Sequence, residues 1–188
     1  MLVLRLALAS MLTAGMVGSF AAADSLAVFT DSEANAANTF GSGTIVIDGA
    51  PASAVVTLAN MAPGDSVIAP LVITNSGTLP MRYAMSTATT NVDAKNLANQ
   101  LEFTIRAKTA SACSVEDGAI LYGPAALALG AIGASAQGAQ AGDRELAASA
   151  SETLCFKVML PLSTGNAFQN ASTTATFTFD AEQTANNP

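Results

Sequence analysis

Two hydropathy patterns divide this chain. Residues 6–20 are apolar almost without a break, interrupted only by Ser10, Thr13, Ser19 and glycines. Beyond Asp24 the chain changes to short runs rich in Val, Ile, Thr and Phe, set apart by Gly, Pro, Asn and Asp, the pattern of β-strands joined by turns. Strands are predicted over 43–48, 54–58, 67–74, 79–87, 102–108, around 120–122, and over 152–160 and 173–181. The clearest is 102–108. There Phe103, Ile105 and Ala107 alternate with Glu102, Thr104, Arg106 and Lys108, giving one buried face and one wet face. Pro63-Gly64-Asp65 and Asn75-Ser76-Gly77-Thr78 read as turns, because Pro presets φ and Gly accepts positive φ. Residues 91–101 are the best helical candidate, with Val92, Leu97 and Leu101 compatible with one face and Asn91 or Asp93 as the cap. The Ala/Gly/Ser/Gln stretch 130–142 has little to bury and is expected to be a flexible excursion, and 182–188 a polar tail. Many short strands, one short helix and no strand–helix–strand rhythm predict an all-β fold. The expectation is an antiparallel β-sandwich of jelly-roll type, with an Ig-like sandwich as the alternative.

The first pattern is that of an export signal. Arg5 is the only charge before Asp24, and the apolar core falls short of the roughly 20 residues a membrane span takes. Small-x-small sites stand at Ala21-Ala22-Ala23 and Ser25-Leu26-Ala27. Residues 1–27 are therefore expected to be a signal peptide cut after Ala23 or Ala27, and 28–188 a single domain. An uncleaved N-terminal anchor is the alternative. The expected location is secreted, in the extracellular matrix or at the cell surface, with a signal peptidase as a partner and no stable membrane span after processing.

Charge narrows the function classes. Leaving out Arg5, six of the seven basic residues face 14 acidic ones, a net charge of −8. No Lys/Arg run is present, so nucleic acid is not an expected partner. Tryptophan is absent and aromatic residues are few, which disfavours a stacking platform for sugars or bases. The two cysteines, Cys113 and Cys155, stand 42 residues apart. In an exported chain such a pair is expected to be a disulfide, two free thiols being the alternative.

Several short motifs occur in a telling order. Ala27, Phe29 and Asp31 are followed by Thr39-Phe40, Gly43-Thr44 and Asp48; then come Leu58-x-Asn60, Pro63-Gly64-Asp65, Asn75-x-Gly77-Thr78-Leu79 and finally Phe177-x-Phe179 with Ala181 and Gln183. This series resembles the TasA and camelysin family of secreted bacterial matrix proteins, over about residues 1–90 and 173–183. Ile45 and Ile47 stand where that family usually has leucines, and residues 92–172 show no match. The resemblance implies a subunit of an extracellular matrix or biofilm fibre, with other copies of itself and other matrix components as partners. It also implies assembly by donor-strand exchange. The candidate donor is residues 24–40, with Leu26, Val28, Phe29 and Thr30 as its contact positions.

Camelysins are described as metallopeptidases, and the residues weigh against that activity here. The chain contains no histidine, so neither a His-Glu-x-x-His zinc helix nor a Ser-His-Asp triad can form. No Ser-x-x-Lys motif presents Lys95, Lys108 or Lys157 as a base. Asp31 with Glu33, or Asp180 with Glu182, offers calcium-type oxygens, but solvated charges at strand ends explain them better. No Gly-rich phosphate loop is present. The reading is a non-enzymatic protein without catalytic, cofactor or metal residues. A monomeric adhesive or ligand-binding sandwich is the alternative, and a camelysin-like secreted peptidase the weakest.

Overall fold

The computed structural model describes residues 39, 41–52, 55–56, 60–108, 113, 116 and 118–188. Residues 41–188 form one unit. Its strands are β1 (Ile47–Ala50), β2 (Ser66–Asn75), β3 (Met81–Thr89), β4 (Glu102–Lys108), β5 (Ala119–Ala126), β6 (Ala131–Ile132), β7 (Arg144–Leu146), β8 (Ser151–Met159) and β9 (Ala175–Gln183), with one short helix, α1 (Leu97–Gln100). They make two antiparallel sheets. One has the order β1-β2-β8-β4-β5; in the other, β3 carries β9 and, on separate stretches, β6 and β7. The interleaving of β2, β8 and β4 needs the crossovers expected of a jelly roll.

Alternation builds the core. Phe103 and Ile105 of β4, Leu154 and Phe156 of β8 and Ile73 of β2 are fully buried, and they meet Met81, Tyr83 and Met85 of β3. Aromatic rings bridge the sheets. Phe177 of β9 stacks on Phe103 at 5.5 Å and meets Phe156 at 5.0 Å. A polar clasp crosses the same space. The Tyr83 hydroxyl donates to Glu152 Oε1 at 2.7 Å, and Arg144 donates to both oxygens of that carboxylate. Burial, and then the hydrogen bond to the Glu152 carboxylate, push the Tyr83 phenol well above its ordinary pKa.

Several expectations shift in the structure. The first strand sits at 47–50 rather than 43–48, because residues 44–46 bond a turn instead of a strand. Val55 and Val56 are not in a strand; the other members of the 54–58 expectation lie outside the described residues. Only 97–100 of the predicted helix is α-helical, and Asn96 ahead of it adopts a left-handed φ with no side-chain cap. The 130–142 stretch is tied down rather than loose. Ile132 enters the core, Asp143 accepts the N–H groups of Ala134 and Gln140, and Gly138 N–H reaches Glu182. The strand that closes the fold runs to Gln183, past the predicted start of the tail. Beyond it, Arg82 bonds the Asn187 carbonyl.

Candidate functional site: an open apolar groove

The sheets do not close on every side. β9 pairs with β3 along its whole length, from Met81↔Gln183 to Thr89↔Ala175, while β6 and β7 take the other edge of β3. Among the described residues the outer edge of β9 therefore has no partner. Among the described residues β1 covers only positions 72–75 of β2, and no strand pairs with Ser66–Leu71 on that edge. Between these two edges lies a groove of about 570 Å³. One wall carries Val55, Val56, Met61 and Val67, the other residues 173–177 and Phe179, and Leu101, Leu127 and Val158 also line it. A strand edge without a strand partner beside an apolar trough is what an added strand requires: the edge supplies hydrogen bonds and the trough accepts alternate side chains.

The far edge of the five-stranded sheet differs. β5 carries Gly123 and Pro124, and its pairing with β4 slips register twice. Such features blunt an edge strand.

The turn motifs hold the β1 side of the groove in place. Ser76 N–H donates to Val46 O at 3.0 Å, and Thr78 N–H to Thr44 O at 2.9 Å. A Cβ on Gly77 would overlap that same Thr44 carbonyl, so the turn needs glycine there. Asn75 is fully buried and organises the turn. Its Nδ2 donates to the carbonyls of Leu79, Leu146 and Ala147 at 2.9–3.2 Å, and its Oδ1 accepts Gly77 N–H. Asp48 accepts from the Ser76 hydroxyl. Two motifs some thirty residues apart in the chain are thus one structural joint. At the next turn, Gly64 adopts φ +98° and the Asp65 carboxylate accepts Ala62 N–H.

The residues singled out in the sequence fall into two groups. Cys113 and Cys155 are bonded to each other, their Cα atoms 5.5 Å apart. Ala23, Leu26, Ala27, Val28, Phe29 and Thr30 lie outside the described residues, as do Asp31 and Glu33. Of the remaining acidic pair, Glu182 is paired with Arg82 and Asp180 is exposed on β9. Donor-strand exchange calls for an acceptor groove, but its position and lining were not read from the sequence. Its lining alternates in Ala175, Phe177 and Phe179, which the sequence shows, but an unpaired edge leaves no local signal.

The protein-family model described as camelysin metallo-endopeptidase matches residues 3–111. No curated protein matches the chain. The family's description implies a metal, and the donor chemistry does not fit one. The chain has no histidine, its two cysteines are joined to each other, and no three His, Cys, Asp or Glu residues gather among the described residues.

Proposed function

We propose, from the premise that this chain belongs to the camelysin family, that it is a secreted, non-enzymatic structural protein whose copies join into an extracellular fibre. One observation carries the reading: among the described residues, two strand edges without a strand partner flank a single apolar groove. The donor is the segment 24–40 of a neighbouring copy, freed when the signal peptide is cut after Ala23 or Ala27. Its alternation presents Leu26 and Val28 on one side and Phe29 on the other, so one register sets apolar side chains into the trough while its backbone pairs with an open edge.

Electron microscopy of mature wild-type and Phe29→Asp protein tests it. A carboxylate forced into the groove costs several kcal/mol, so the variant is expected to stay monomeric where wild type forms fibres. Wild type that remains monomeric under all conditions, or a variant that forms the same fibres, refutes the mechanism. A second reading takes the groove as the site of a monomeric ligand-binding module, because its volume lies within the range of small-molecule pockets. Uptake of an apolar dye by monomer, undiminished when the 24–40 segment is added as a peptide, would favour that reading.

A further inference from the structure

The fold gathers what the sequence scatters. Of the six basic residues after Arg5, three stand on the outer face of the five-stranded sheet: Arg106 and Lys108 on β4 and Lys157 on β8. Arg106 lies opposite Cys155, Lys108 opposite Thr153 and Thr104 opposite Lys157. Same-face neighbours on a strand are about 7 Å apart, so the three cations form one compact strip on an otherwise acidic molecule.

That strip is already occupied from within. From the connection between β4 and β5, Cys113 is bonded to Cys155 on this face. Cys155 points outward between the inward Leu154 and Phe156, yet both bridge cysteines are buried, as is the outward Thr104. From the same connection Glu116 pairs with Lys157, and the Gly118 carbonyl accepts from Arg106 Nη1 at 3.1 Å. Arg106 Nε is buried there and has no hydrogen-bond partner among the described residues. A side-chain carboxylate and a backbone carbonyl are the two acceptors any acidic polypeptide offers.

We propose that the outer face of β4 and β8 is a binding site for an acidic polypeptide strand, and that Glu116 and the Gly118 carbonyl, tethered through Cys113, fill it in cis. The tether keeps Glu116 at an effective concentration in the millimolar range, so a partner in trans competes poorly while the bridge stands. A dithiol reductant opens it. One thiolate attacks a bridge sulfur, the other cysteine leaves as a thiolate and takes up a proton, and the reductant's second thiol resolves the mixed disulfide. The products are two cysteine thiols and an oxidised dithiol. The inference does not depend on the fibre reading, since this face lies away from the groove lining.

Fluorescence anisotropy with a labelled decaglutamate peptide tests it on oxidised wild type, Glu116→Gln with the bridge intact, and Cys113→Ser/Cys155→Ser. Both variants are expected to bind at least about tenfold more tightly than wild type. The gain should vanish in about 0.5 M salt and on adding Arg106→Gln with Lys157→Gln. Equal binding by all three proteins, or a gain that survives loss of the two cations, overturns the proposal. So does tighter binding of DNA or heparin than of decaglutamate at matched charge. If the cysteine variant loses its fold by circular dichroism, Glu116→Gln decides alone, and no gain there refutes the site.

Discussion

Replacing Asn75 by alanine removes the hub of the joint that seats residues 44–46. The side chain is fully buried and makes four contacts: three donated to carbonyls and one accepted from Gly77 N–H. One amide has two N–H groups, so the three donated contacts amount to about two hydrogen bonds, and the accepted one makes about three. At a net of roughly 1 kcal/mol each, with a further term for polar groups left buried, the loss is about 3–4 kcal/mol. Against a total stability of about 5–15 kcal/mol this is a large fraction, and for a domain of this size it lowers Tm by about 10 °C. Asn75→Asp separates the geometry from the volume. A carboxylate keeps the contact to Gly77 but faces three carbonyl oxygens, so it is expected to destabilise at least as much as alanine at neutral pH. Urea unfolding followed by tryptophan-free probes, such as far-UV circular dichroism, gives both values. A loss below about 1 kcal/mol in Asn75→Ala, or an Asp variant as stable as wild type, refutes the role given to this residue.

Phe177→Ala removes the ring that stacks on Phe103 and meets Phe156 at the groove. It should cost about 3 kcal/mol, read as a lower urea midpoint; an unchanged midpoint contradicts the bridging role. Reducing the Cys113–Cys155 bond, which closes a 42-residue separation, should lower stability by up to about 4 kcal/mol without unfolding the domain. Calorimetry with and without reductant measures this, and an unchanged Tm would show that the bridge restrains nothing. The carboxyls of Asp93, Glu116 and Glu182 are held below their ordinary range, respectively by the backbone N–H groups of Lys95 and Ser172, by Lys157, and by Asn187 together with Arg82. Their contribution is therefore present at neutral pH and is lost as pH falls below about 4 through the folded-state values. A Tm that rises on acidification through that range contradicts these contacts.

What could be read from the chain depended on how local its cause was. The bounds of β4 were legible to the residue, since Glu102–Lys108 alternates without exception, but its expected wet face is partly covered: Thr104 is buried. The 130–142 loop was misread because its anchors, Asp143 and Glu182, act across space, and small residues give no periodic signal of being held. Residues 44–46 looked like strand by composition, but the Asn75–Leu79 turn captured their backbone groups first. The groove was hidden for a similar reason: whether the outer edge of β9 has a neighbour is decided by the order of strands in the sheet, not by anything in Ala175–Gln183. The cationic strip needed the β4–β8 register, which a single sequence does not contain.

The pairing of β9 with β3 also governs timing. Met81 waits for Gln183, and Phe103 and Phe156 wait for Phe177. A chain made from its N-terminus holds β2, β3, β4 and β8 before it holds the last strand, and until then that core lacks a wall. Contacts so distant in sequence form late and slowly. The sandwich thus stays an unfinished, threadable chain throughout its synthesis and becomes a rigid body only when its ninth strand arrives.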